Sequence, residues 1–193
     1  MSLPSLQDVL SGDRDSLGQA LSLLFEPSEV LFRDVVPQLA DSTALPSVTS
    51  YSALIELAVD TLNKCGDSRR AQFIKAHPRI GATKNLSALS SKEQGTATPP
   101  EVLLRLAHLN ACYERKYNGL RYITFVNGRS RAAIAQEMED KLGIEHSLSP
   151  DDPSIDTLVP ISEDDEYWRQ ELNRAVNDVG LIAGSRLKAL GHI

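Results

Sequence analysis

The stretch TPPEVLLRLAHLNACYERKYNG, residues 98–119, decides the fold. Thr98 suits a helix N-cap, Pro99 suits the first helical position, and Glu101 stands where it closes a capping box. Behind this start, Val102, Leu103, Leu106, Leu109, Tyr113 and Tyr117 recur at the spacing that gathers one face of an α-helix. Asn118-Gly119 ends it. Downstream, Arg121 to Val126 is a β-type run of branched and aromatic side chains, too short and isolated to imply a sheet. Arg131 to Leu142 reads as helix again, and Trp168 to Leu190 as a long last helix. Upstream, Ser50 to Lys64 carries Leu54, Leu57, Ala58 and Leu62 at helical spacing, and Gly66 is a natural stop. Ser28 can cap a helix holding Val30, Leu31, Val35 and Leu39, whose end Pro37 obscures. Ser16 to Phe25 repeats the pattern with Leu17, Leu21, Leu24 and Phe25. Ala71 to Pro100 reads as irregular and polar, and His146 to Glu166, rich in Pro, Ser and acids, as a solvated loop. No internal repeat is present. The expectation is an all-α protein, one helical-bundle domain over residues 1–193.

Bulk properties narrow the class. The 193 residues, 41% hydrophobic and 24% charged, can build a substantial core and do not read as disordered. No apolar run approaches the ~20 residues of a membrane helix, and no basic-then-apolar leader opens the chain. A net charge of −6 argues against nucleic acid as a partner, because phosphate neutralisation needs a clustered basic surface. An anionic small molecule remains possible, since one buried arginine can hold a carboxylate. Cys65 and Cys112 form neither CxxC nor a disulfide framework, which suits a reducing compartment. His108 and Cys112 share an i,i+4 helical spacing but lack further ligands, so no metal is expected.

Polar features outside these helical faces carry the chemistry. In His77-Pro78-Arg79-Ile80-Gly81 the proline ends the preceding helix, so the histidine can project from a fixed loop; its ordinary pKa near ~6.5 suits proton transfer at neutral pH. The same residue could equally be a helix cap or a surface histidine. Ser90-x-x-Glu93-Gln94 reads as a capping box, and also as a helix start offering a hydroxyl, a carboxylate and an amide to a urea-like ligand. Arg186 falls on the apolar side of the last helix, among Leu172, Ala175, Val176, Val179, Ile182, Ala183, Leu187 and Leu190. A guanidinium there must snorkel to water, find an acid, or enter a polar pocket.

Taken together, these segments, with Leu109-Asn110-x-x-Tyr113-x-x-Lys116-Tyr117, a β-like run ending in Gly128-Arg129, Leu23-Leu24-Phe25-Glu26-x-Ser28 near the start and Val179-x-x-Ile182-x-x-x-Arg186-Leu187 near the end, resemble the 2-oxo-4-hydroxy-4-carboxy-5-ureidoimidazoline (OHCU) decarboxylases. The resemblance spans nearly the whole chain. It implies an α-helical bundle, usually a homodimer, working without metal or organic cofactor on the ureidoimidazoline that precedes (S)-allantoin in urate breakdown, downstream of urate oxidase and hydroxyisourate hydrolase. It places the catalytic roles on His77, Glu93 and Arg186. Substrate contacts fall on Pro78, Ser90, Gln94 and the run Tyr122, Ile123, Thr124, Phe125 and Val126. Two departures stand out. The run Tyr122-Ile123-Thr124 replaces a common Phe-Val-Ile, which is tolerable if backbone groups bind the ligand. Residues 144–166 look like a loop insertion, read as passive.

Other readings follow from the same residues. A protein of this fold that had lost catalysis would bind ureides or act as a scaffold; retention of His77, Glu93 and Arg186 together speaks against it. The acidic 151–166 segment could instead serve as the contact surface of an interaction module. A fused hydrolase for the preceding step is not expected, because no β-rich domain follows. The expected location is the cytoplasm; Gly191-His192-Ile193 resembles a peroxisomal tripeptide only loosely.

Overall fold

A computed structural model describes residues 2–11, 13–82 and 98–191, and among these residues the regular structure is helical, with no strand. The all-α expectation holds, and no described helix is long and apolar enough to cross a membrane. The chain forms two compact units, one of residues 1–76 and 172–193, the other of residues 77–171.

The first unit opens with α1 (Leu6–Leu10) and α2 (Arg14–Leu24). Each begins on a side chain that satisfies an otherwise orphaned backbone N–H: Ser5 accepts from Asp8 N and Asp13 from Ser16 N. Helix α2 therefore starts before the expected Ser16. Its buried face is Leu17, Ala20, Leu21 and Leu24, and the chain leaves the helix at Phe25 in an extended conformation. Ser28 Oγ then accepts from Leu31 N at 3.1 Å, as its cap role requires. The helix that follows opens with a π-turn, Leu31–Val35, and continues as α3 (Val36–Ala40) straight through Pro37. Proline lacks an N–H and crowds the preceding turn; the widened turn, in which Val36 N–H bonds back to Leu31 O, accommodates it without ending the helix.

Helix α4 (Tyr51–Asn63) is capped by Ser50 and buries Leu54, Ile55, Ala58 and Leu62. Gly66 does not simply stop it. Gly66 is the N-cap of a further helix, α5 (Asp67–Lys75), in a segment that sequence reading left partly irregular. Its φ of −63° is one any residue adopts, so the glycine was no marker of a left-handed stop. Phe73 on α5 meets Phe25 edge to face, ring centroids 6.1 Å apart.

In the second unit, α6 (Pro100–Lys116) packs on α7 (Arg131–Leu142). The N-cap of α6 is Pro99, not Thr98, and Pro100 takes the first helical position. The start signal lay one residue early, and the second of the two prolines rather than the first opens the helix. Ser130 caps α7 at its start, and Gly143 ends it at φ 71°, where only glycine sits without strain; Ile144 N then bonds to Glu139 O at 3.1 Å. The long last helix, α8 (Glu166–Ala189), gives its first residues to the second unit and Leu172 onward to the first.

The 146–166 segment is largely exposed, as expected of a solvated loop, but it is anchored at several points. Arg105 on α6 is fully buried, pairs with buried Glu139 of α7 at 2.7 Å, and donates to the carbonyl oxygens of Ser149, at 2.9 Å, and Asp152. His108 Nε2 lies 2.9 Å from Pro153 O and 3.3 Å from Cys112 Sγ, so that spacing serves a backbone contact. Ile161 N–H bonds to Lys116 O at 2.8 Å. A buried arginine is tolerable only when its charge and N–H groups are largely matched. The loop supplies carbonyls for that purpose and is roped to α6 in return.

Candidate active site

His77 is the first residue of the second unit and is buried, with 3% of its surface exposed, which removes the surface-histidine reading. The turn that follows lies along one stripe of α6. Leu106, Asn110 and Glu114, each four residues apart and so stacked on one helical face, touch Gly81, Ile80 and Arg79 in that order. Gly81 has φ 79°, a conformation that favours glycine, and a Cβ there would crowd Leu106 Cδ1 at 3.1 Å. Asn110 Nδ2 donates to Ile80 O at 3.0 Å and also to Leu106 O at 2.7 Å. Arg79 clamps Glu114 through Nε and Nη2, at 2.8 and 2.5 Å. That fork holds the Arg79 guanidinium above its usual pKa.

Arg121 closes the other side. Its Nη1 donates to the carbonyl of His77, and its Nε lies 3.7 Å from Glu114. Burial pulls its pKa down while Glu114 pulls it up. One carboxylate thus faces both arginines that flank His77. Because Arg121 begins the 121–126 segment, it also ties the His77 turn to the expected substrate run.

That run forms no strand, as its length suggested. Tyr122, Ile123 and Thr124 are buried, and Phe125 and Val126 partly so. Tyr122 packs edge to face on Tyr113, centroids 5.2 Å apart. Tyr113 OH donates to Glu171, whose other oxygen accepts from Lys141 at 2.7 Å. Lys116 Nζ donates to the carbonyls of Lys141 and Leu142 at the end of α7. Burial, and then Lys141 nearby, lower its pKa. The segment Asn110-x-x-Tyr113-x-x-Lys116 therefore works as scaffold around the site.

Arg186 lies in the first unit and found an acid. Its Nη2 donates to Glu26 at 2.7 Å, both side chains nearly fully buried, and its Nη1 is 3.5 Å from Leu24 O. Snorkelling is thereby excluded. Val179, Ala183 and Leu187 on the same helix face are buried as expected, whereas Ile182 and Leu190 are only half-buried. Ser90, Glu93 and Gln94 lie outside the described residues. Of the expected site, the structure brings together His77, Pro78 and the start of the 122–126 run.

Sequence reading missed Glu114 and Arg121 as parts of this arrangement, and quoted Arg129 only as the end of a motif; Glu137, which accepts from Tyr122, Thr124 and Arg129, was not singled out. Asn127-Gly128 was the available signal for the last two, since that dipeptide favours a tight turn with both φ values positive, observed here at 46° and 76°. A separate open depression of about 370 Å³ in the first unit, lined by Ser28, Val30, Gln72 and Lys75 among others, contains none of the expected site residues.

Comparison with known proteins adds the following. A sequence model of the OHCU decarboxylase family matches residues 11–148, most of the chain. A curated relative from Halalkalicoccus jeotgali, named 2-oxo-4-hydroxy-4-carboxy-5-ureidoimidazoline decarboxylase, is 25% identical over 191 residues, covering 96% of this chain and 91% of the relative. Among solved structures, an (S)-allantoin synthase superposes with a TM-score of 0.56 at 18% identity over 96% of this chain. This chain spans about half, 53%, of that synthase. An OHCU decarboxylase solved in the presence of (S)-allantoin superposes with a TM-score of 0.55 at 20% identity, covering 89% of this chain and 96% of the other. At those identities the structural likeness speaks for the fold alone.

Proposed function

The chain belongs to the OHCU decarboxylase family, which makes it a carboxy-lyase, and we propose that it converts 2-oxo-4-hydroxy-4-carboxy-5-ureidoimidazoline to (S)-allantoin with His77 as the proton-transferring group. The observation that carries this reading is the immobilised, buried His77: its carbonyl is held by Arg121, and the turn after it is held by Asn110 and Glu114. A histidine fixed in this way can deliver a proton along one direction.

The substrate carries a carboxylate and a hydroxyl on one ring carbon. When the bond to the carboxylate breaks, carbon dioxide leaves and the electron pair passes into the adjacent C=N of the ring. The nitrogen of that former C=N takes a proton, the hydroxyl-bearing carbon becomes a carbonyl as its own proton departs, and the neighbouring carbon, which bears the ureido group, accepts a second proton. Net, carbon dioxide is released and one proton is taken up. The ring itself is the electron sink, so the step requires no metal or organic cofactor. Protonation on one face sets the (S) configuration.

In this reading Glu93 orients His77 or takes the hydroxyl proton, Ser90 and Gln94 hold the ureido group, Pro78 lines the pocket, and backbone amides of 122–126 fix the ring. Arg186 binds a ring carbonyl or the ureido oxygen. It does not grip the departing carboxylate, because that would stabilise the ground state and slow the reaction. The protein acts as a homodimer over one decarboxylase domain, on substrate supplied by hydroxyisourate hydrolase after urate oxidase. The arginine-anchored 146–166 segment has a structural explanation, which leaves an interaction module without a specific observation in its favour.

The test is circular dichroism in the absorption band of allantoin, with urate converted in the cuvette by urate oxidase and the hydrolase. The expected result is rapid growth of a single-handed signal, slowed ~10²–10⁴-fold in His77→Gln. A folded wild-type protein that leaves only the slow racemic background would refute the reading.

A further inference from the structure

The 122–126 run is shaped by a polar brace to which the reaction scheme assigns no role. Tyr122 and Thr124, two residues apart, both turn to α7. Their hydroxyls donate to the same oxygen, Oε1 of Glu137, at 2.5 and 3.1 Å. Oε2 of Glu137 accepts from Arg129 Nη1. The remaining guanidinium nitrogens of Arg129 go back to the run: Nη2 to Thr124 Oγ1 at 2.9 Å and to Phe125 O, and Nε to Val126 O at 3.1 Å. The Asn127-Gly128 turn, closed by Arg129 N–H on Val126 O at 2.9 Å, folds the arginine back to where this is possible.

A trans peptide is planar, so its N–H points opposite to its C=O. Fixing Phe125 O and Val126 O therefore fixes the N–H directions of Val126 and Asn127. We infer that Glu137, acting through Arg129 and the Tyr122 and Thr124 hydroxyls, is a positioning residue that sets the backbone direction of the substrate-binding run and so the affinity for the ureidoimidazoline. The inference rests on the decarboxylase reading. Glu137 needs no contact with the reacting atoms. Amides that hold the ring before and during bond cleavage contribute alike to both states, so loosening them raises KM and spares kcat.

The experiment compares initial rates of the wild type, Glu137→Leu, Glu137→Gln, Thr124→Val and the Thr124→Val/Glu137→Leu double variant in the coupled allantoin assay. Glu137→Leu is expected to raise KM about tenfold, the effect of one charge-assisted hydrogen-bond network lost, with kcat changed by less than about threefold. Glu137→Gln, which keeps an acceptor for the hydroxyls, falls between. Thr124→Val adds little on top of Glu137→Leu, because its hydroxyl acts through the same carboxylate. A role confined to stability would lower the folded fraction and leave KM unchanged. Wild-type KM in folded Glu137→Leu overturns the inference while the decarboxylase reading stands. If Glu137→Leu does not fold, Thr124→Val decides in its place: a raised KM supports the inference and an unchanged one overturns it. A wild-type protein without activity overturns both.

Discussion

Arg186 offers the sharpest test of how stability and function are shared in this chain. Its guanidinium and the Glu26 carboxylate meet at 2.7 Å, with 4% and 8% of their side chains exposed. At an effective dielectric of ~20, unit charges ~4 Å apart attract by ~4 kcal/mol. Removing one member of a buried pair typically costs ~3–5 kcal/mol, because the other charge loses its counter-charge in a dry environment. Arg186→Met is therefore expected to lower unfolding free energy by that amount, read as a reduced urea midpoint at constant slope. Replacing both members with apolar residues of similar volume, Arg186→Met with Glu26→Leu, should recover part of the loss, since the two opposite charges leave together. The double variant then separates two roles that a single one confounds. If Arg186 also serves the substrate, the restabilised double variant remains defective in the allantoin assay. An Arg186→Met cost below ~1 kcal/mol, or a double variant no more stable than the single, would refute the electrostatic argument.

The remaining predictions concern other polar contacts. Arg105→Met leaves Glu139, 1% exposed, without its counter-charge and frees the Ser149 and Asp152 carbonyls. It should cost ~3–5 kcal/mol and make the 146–166 segment the first site of limited proteolysis; an unchanged cleavage pattern would show that the loop is held otherwise. The Asp13 carboxylate, exposed at the start of α2, is held below its usual 3.8 by hydrogen bonds from Ser16. A depressed folded-state value contributes stability above the unfolded-state pKa and loses it as pH falls through the folded one. The stability advantage of wild type over Asp13→Asn, which keeps a capping oxygen, should therefore be present at pH 6, begin to fall near pH 3.8 and vanish only below the depressed folded-state pKa; an advantage independent of pH would count against it.

Much of the fold was legible because helix starts advertise themselves in side chains. Ser28 caps as read, and the structure adds Ser50 and Ser130 as caps where the expected apolar periodicities begin. Helix α5 was not legible in the same way. Its sequence, Asp67 to Lys75, is mostly polar, its cap is a glycine with no side-chain acceptor, and only Ala71, Phe73 and Ile74 are buried. Buried charges were the other blind spot. Arg105 sits between Leu104 and Leu106 and looks like any arginine on an amphipathic helix; its burial depends on an acid 34 residues away in sequence and on carbonyls 44 and 47 residues away. Spacing along one helix cannot reveal partners that only topology brings close. For Arg186 the alternatives were framed correctly, an acid among them, but nothing local named Glu26.

The same limit applied to His77. What decides whether a histidine before proline is a surface cap or a held, buried group is the element packed beside it. Here that element is the helix most legible in the sequence. Leu106, Asn110 and Glu114 occupy one stripe of α6, and each meets a different residue of the Arg79–Gly81 turn through a different interaction: van der Waals contact, a hydrogen bond to a carbonyl, and a forked ion pair. Each contact fixes a different degree of freedom of the turn, so the histidine's backbone is defined by the helix rather than by the loop itself. The apolar members of α6 build the core and the polar members between them orient the site, which is why a stretch read first for its fold also carries much of the geometry on which the proposed chemistry depends.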